Sequence, residues 1–148
     1  MASTTFSGPI KAGTVREGSS ANVGSVLMAQ SAVIDIVGAT ATTTVGVIPA
    51  NSKITEVQLN IVEASNNSAA ATVSVGFSGA TTALLNGTNA KAAALTYSTG
   101  MATASINIGT VDRTVIATYS PVNGDGDEGI ADVTVKYLQN ANLDVTDS

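Results

Sequence analysis

Apolar and polar residues alternate along several short stretches of this chain, and nowhere do they keep a helical period for long. The clearest case is Thr42 to Ser65, TTTVGVIPANSKITEVQLNIVEAS. There Val57, Leu59 and Ile61 alternate with Glu56, Gln58 and Asn60. A period of two sends successive side chains to opposite faces of a strand, so one face is buried and the other wet. Thr42 to Ile48 reads as the strand before it. Pro49 to Ser52 reads as the turn between them, because proline presets φ and Asn and Ser bond locally to the backbone. Ser65 to Ser68, SNNS, is the next turn. Val26 to Val37, Thr72 to Phe77, Ala104 to Ile108, Val111 to Tyr119 and Ile130 to Leu138 carry further strand patterns. The stretch from Ser78 to Gly100 is ambiguous, and Ala90 to Leu95 fits a helical turn or an irregular loop equally well.

About eight strands at this spacing suit a sandwich or a small barrel. No long periodic helix separates them, which disfavours a parallel α/β sheet, and no repeat of fixed period is present. The fold class expected is all-β, a single jelly-roll-like β-sandwich over residues 26–148. Residues 1 to about 25 show no sustained period and carry Gly8, Pro9, Gly13, Gly18 and Gly24. They read as an extended N-terminal arm.

The chain's 148 residues fit one domain and are enough to bury a core without covalent staples. Cys, His and Trp are all absent. That removes disulfides, thiolate or imidazole metal ligands, and any catalytic triad built on histidine. The net charge is −5, only 11% of residues are charged, and the six Lys and Arg are scattered singly. Nucleic acid and anionic membranes are therefore not expected partners. Ala, Thr, Val and Ser dominate, as close-packed pleated layers require. So weak a surface charge implies that a partner covers part of it. The opening MASTTFSGPIKAG lacks the positive and apolar regions of a secretory signal, and no apolar run approaches the ~20 residues of a membrane helix. Synthesis as a soluble cytoplasmic protein is the expectation.

One loop looks as though it could carry chemistry. Asn123 to Gly129 reads NGDGDEG, and its glycines match the dinucleotide pattern G-x-G-x-x-G. That pattern needs a helix after it, whose N-terminal amides hold the pyrophosphate. Here IADVTVKY follows and alternates as a strand, and Asp125, Asp127 and Glu128 repel phosphate. Asn123, Asp125 and Asp127 also stand at the first ligand spacings of a calcium loop. Glu128 occupies the position of the required glycine, however, and Thr134 that of the closing Glu. An EF-hand is excluded, an irregular calcium site stays open, and a hairpin loop between the last two strands is favoured. No metal, cofactor or catalytic residue is assigned.

Other candidates are weaker. Glu56 and Glu63 lie seven apart on one strand and should face opposite sides, which does not suit paired-carboxylate catalysis. Asn66-Asn67-Ser68 and Asn86-Gly87-Thr88 are formal glycosylation sequons without a secretory context. Thr42, Thr43 and Thr44 point both ways across a sheet, so they make no one-sided threonine ladder. The residues favour a scaffold or binding module over an enzyme.

Three stretches carry a resemblance. TTFSGPIKAG, Thr4 to Gly13, is similar to the start of many small structural proteins of tailed bacteriophages. GVIPANSKITEVQLNIVEAS and GDGDEGIADVTVKYLQ look like phage head proteins of β-sandwich type. The family resembled is that of the capsid decoration, or cement, proteins. The resemblance implies a non-enzymatic protein that binds the outer surface of the head and braces it. It implies the major capsid protein as partner, homotrimers as the assembly, and the virion as the location. On that reading Thr4, Thr5, Phe6, Ser7, Gly8, Pro9 and Ile10 form a capsid or subunit interface, with Phe6, Pro9 and Ile10 as apolar anchors. A carbohydrate-binding or adhesin-type sandwich, a head fibre base and a tail protein are the alternatives.

Overall fold

The computed structural model describes residues 25–98 and 101–140. The predicted arm, with Thr4 to Ile10, lies outside them. Eight strands follow in order: β1 (Ser25–Asp35), β2 (Ala41–Ile48), β3 (Lys53–Glu63), β4 (Ala71–Phe77), β5 (Ala80–Asn89), β6 (Ala94–Tyr97), β7 (Arg113–Pro121) and β8 (Ile130–Asn140). One short helix, α1 (Thr103–Ile106), stands between β6 and β7. The strands form two antiparallel sheets, ordered β1-β8-β3-β6 and β2-β7-β4-β5. Consecutive strands through β4 alternate between the sheets in neither a meander nor a barrel order. This is the double Greek key of a jelly roll, so the expected all-β sandwich is observed.

The buried side chains are those that the alternation marks. Val57, Leu59 and Ile61 of β3 face Val73, Val75 and Phe77 of β4 in one continuous apolar layer, joined by Val115, Ala117 and Tyr119 of β7 and Val133, Val135 and Tyr137 of β8. Most intervening residues of these strands face outward and are less buried, Gly76 and Ile116 excepted. At one edge of this layer the Arg113 guanidinium lies 3.5 Å from the centre of the buried Phe77 ring. That cation–π contact covers the ring end with a group that stays partly in water.

One open reading is settled and two local expectations change. Ala90 to Leu95 forms no helical turn. It runs as an irregular loop to Ala93 and then enters β6. Ala90 is held at both backbone ends: its N–H donates to Ala71 O at 2.9 Å, and its carbonyl accepts from Ser65 N at 2.8 Å. Those long-range bonds replace the local ones that a helix needs. Ala104 to Ile108 is not a strand. Thr103 to Ile106 makes a single helical turn, and only Asn107 bridges to a strand, at Lys53. Beyond that turn Ile108 N donates to Ser52 O at 3.0 Å and Gly109 O accepts from Asn51 N at 2.6 Å, so pairing is confined to the end of the segment. Finally, NGDGDEG is not a hairpin, because β7 and β8 belong to different sheets.

The parity argument for Glu56 and Glu63 also fails. A register shift between Ile61 and Glu63 sets Glu63 opposite Ile130, while Glu56 lies opposite Lys136. The extra residue of a bulge returns both carboxylates to the outer face. They remain roughly 20 Å apart along the strand, so the conclusion that they do not pair stands on distance instead.

Candidate interaction surfaces

The loops β1–β2, β3–β4, β5–β6 and β7–β8 gather at one end of the sandwich, and NGDGDEG is fastened there. Its partner is the SNNS turn. The Asn66 side-chain oxygen accepts from the backbone N–H of Asp127 at 2.9 Å and of Glu128 at 3.2 Å. Its amide nitrogen donates to Asp127 Oδ1 at 2.6 Å. The buried Asn67 accepts from Asp125 N at 3.0 Å and donates to Ala69 O at 3.0 Å. Ser68 donates its backbone N–H to Asp125 Oδ1 at 2.9 Å and its hydroxyl to Asp125 Oδ2, and it accepts from Asn123 Nδ2 at 2.8 Å. An Asn side chain carries both a donor and an acceptor, like a peptide group. Two of them side by side let one loop pair with another as a strand would.

The glycines make this contact possible. A Cβ on Gly126 would meet the Asn67 backbone, and one on Gly129 would meet the Ser65 backbone and the Ile36 side chain. Gly126 O accepts from Gly38 N at 2.7 Å, and Gly129 O from Ile36 N at 3.1 Å, which brings the β1–β2 loop into the same joint. These glycines are small because two backbones pass close by. No phosphate is needed to explain them.

The acids of the loop point at donors rather than at one another. Donation from the Ser68 hydroxyl and then the Ser68 amide holds the Asp125 carboxyl below its ordinary value. Asp127 takes the Asn66 amide. Among the described residues no three Asp or Glu side chains cluster as metal ligands. The sequon residue Asn66 is a working part of the joint, whereas Asn86 lies exposed on β5. Elsewhere Glu56 accepts from Lys136 Nζ at 2.6 Å on the outer face of the first sheet. The Glu56 carboxylate raises the lysine's affinity for its proton. A cavity of about 440 Å³ between β5 and Met101 is lined by Thr82, Ala83, Leu84, Leu85, Asn86 and Ala102, with no titratable group among them.

Sequence reasoning missed Gln30, Ser65 and Asn67. Gln30 Nε2 donates to Val47 O at 2.8 Å and to the Tyr137 hydroxyl at 3.1 Å, tying β1 to β2 and so one sheet to the other. Ser65 Oγ and the Tyr119 hydroxyl share a buried bond of 2.8 Å. The available signal was the density of Asn and Ser in SNNS, which exceeds what a plain turn needs.

No protein-family model and no curated protein sequence matches the chain. Solved structures do. A chain from the Cyanophage Pam1 capsid asymmetric unit superposes with a TM-score of 0.60 at 18% identity, over 93% of this chain and 99% of that one. A chain from the acid-stable capsid structure of Helicobacter pylori bacteriophage KHP30 gives 0.59 at 19% identity, over 79% and 90%. One from the capsid of Ralstonia phage GP4 gives 0.58 at 16%, over 85% and 92%. The likeness is one of fold, and it spans nearly the full length of each of these chains.

Proposed function

We propose that this chain is a structural protein of a tailed-phage virion, a decoration protein that binds the outer surface of the head and stabilises the major capsid protein shell. The observation that carries this reading is the match of its jelly roll, over 79–93% of this chain, to three chains from phage capsids. The reading is non-enzymatic and mechanical. Area buried across subunit junctions lowers the free energy of the closed shell, and a homotrimer multiplies each weak contact by avidity. A jointed loop end supports it as well, because a brace transmits load only if its loops hold their shape.

The test is co-sedimentation with heads that lack decoration. Full-length protein should pellet with such heads, and heads so treated should resist heat or chelator better than bare ones. Removal of residues 2–13, which contain Thr4 to Ile10, should weaken attachment while leaving the sandwich folded. Failure of the full chain to bind competent heads would sink the reading.

A further inference from the structure

The outer face of the β1-β8-β3-β6 sheet carries apolar side chains that no part of the described chain covers. The register places them. Val33 of β1, Asp132 of β8, Asn60 of β3 and Leu95 of β6 lie in one row across the sheet. Asn60 Nδ2 donates to Asp132 Oδ2 at 2.9 Å, so the polar pair in the middle of that row satisfies itself. Tyr97 stands outward in the row on one side, and Ile130 and Val62 stand on the other. Val33, Val62, Leu95, Tyr97 and Ile130 are 38–68% exposed, and the strip they form is about 15 Å wide, three strand spacings. Asp35 and Glu63 flank Ile130 from the neighbouring strands, and both are exposed. Among the described residues neither takes part in an ion pair. Exposed apolar patches with a polar rim mark interaction sites.

We infer that residues 1–24 of the same chain fold back across this face, with Phe6, Pro9 and Ile10 on the apolar strip and Lys11 and Arg16 toward Asp35 and Glu63. Charge selects the occupant. The same face of a second copy would set acids against acids, which costs binding energy. Residues 141–148 carry Asp144 and Asp147 with no Lys or Arg, so the acidic rim repels them too. Residues 1–24 carry Lys11 and Arg16 against Glu17 alone, and each cation directly follows an apolar residue, Ile10 and Val15. An apolar side chain next to a cation is the complement of an apolar strip edged by acids. Length permits the contact. Residues 1–24 join β1 at Ser25, which pairs with Asn140 at the end of the sheet away from the strip. Val33 lies roughly 26 Å further along β1. The stretch from Ile10 to Ser25 reaches roughly 50 Å when extended. A reversal between Gly18 and Gly24 therefore leaves enough chain to bring Ile10 back to the level of Val33. The tether holds these residues at about millimolar effective concentration at their own face, so weak individual contacts suffice.

This arrangement belongs to the free protein and is independent of the decoration reading, in which the same residues would leave the face for the head. Disulfide trapping of the full chain tests it, and the absence of native Cys makes any bond formed unambiguous. Ile10→Cys with Leu95→Cys should close within one chain under mild oxidation. Closure should be roughly tenfold faster than for Ile10→Cys with Ser120→Cys, because docking raises the local thiol concentration. Ser120 is exposed on the other sheet at the same end of the sandwich, so it controls for reach. Ile10→Cys with Val33→Cys repeats the measurement if the first pair folds poorly. Adding Lys11→Glu and Arg16→Glu to either pair should slow closure to the control rate. Equal rates at the two faces overturn the inference. A bond that joins two chains instead of closing within one also overturns it, and would give the face to a neighbouring copy. Closure indifferent to the charge reversal overturns it as well, since charge is what selects residues 1–24.

Discussion

Ser65 Oγ and the Tyr119 hydroxyl lie 2.8 Å apart, both residues almost wholly excluded from water. The pair fixes the start of the β3–β4 loop to the middle of the second sheet, just below the joint with NGDGDEG. Removing one partner strands the other. Tyr119→Phe should cost about 1–3 kcal/mol, the usual penalty of a buried polar group left without its bond. Urea unfolding measures it. In a Ser65→Ala background the same change should cost much less, since no hydroxyl is then abandoned.

Asp125 gives the joint a pH dependence. Its folded carboxyl titrates below the ordinary value because Ser68 donates twice to the charged form. The stabilisation is therefore fully present above the unfolded carboxyl pKa of about 3.9 and is lost as pH falls through the lower, folded value. Thermal unfolding from pH 7 down to 3 should show wild type above Asp125→Asn at neutral pH, with the gap closing only at the acid end. A gap of constant size would mean that the charge of Asp125 contributes nothing.

Calcium should be dispensable. The Asp125 and Asp127 oxygens are already engaged by Ser68 and Asn66, and an ion would have to displace those donors. The melting midpoint should be the same in chelator and in millimolar calcium. A rise of roughly ten degrees would show linkage to a bound ion and reopen the loop as a site.

What the sequence reveals here depends on how local each signal is. β3, β4 and β8 announce themselves because apolar residues alternate with polar or small ones over most of the strand. β5 does not. It carries two register shifts against β4, and most of its residues are exposed, so its inward positions fall out of phase. β6 is four residues long and depends on β3 for its pairing. The joint was half visible. Both loops are rich in Asn, Asp, Ser and Gly, but a one-dimensional reading assigns each to its own turn. Only the topology shows that Asn66 and Asn67 bond to Asp125, Asp127 and Glu128 some sixty residues away.

Strand β3 tests the alternation itself. Leu59 is fully buried and Gln58 faces outward. Leu59→Ala should cost about 2–5 kcal/mol through lost burial and the cavity left behind. Gln58→Ala should cost well under ~1 kcal/mol, as surface changes usually do. Chemical unfolding of the two variants decides the matter. The reverse order would mean that the strand sits one residue out of register, with its faces exchanged.

Gly46 and Gln30 form the last pair open to test. β2 shifts register against β7 between Thr44 and Gly46, and the Gln30 side chain fills the space that a Cβ on Gly46 would need. The φ of Gly46 is not positive, so alanine there meets crowding rather than backbone strain. Gly46→Ala must push the Gln30 amide off Val47 O and Tyr137, breaking the two bonds that tie β1 to β2. A loss of about 1–3 kcal/mol is expected, chiefly from the buried Tyr137 hydroxyl, since water reaches the Val47 carbonyl. Gln30→Ala removes the same bonds by another route and opens the same space. The double variant should therefore be little less stable than Gln30→Ala alone, a strongly non-additive cycle. Additive losses would show that Gly46 is required for the bulge itself, and that Gln30 merely occupies the room it leaves.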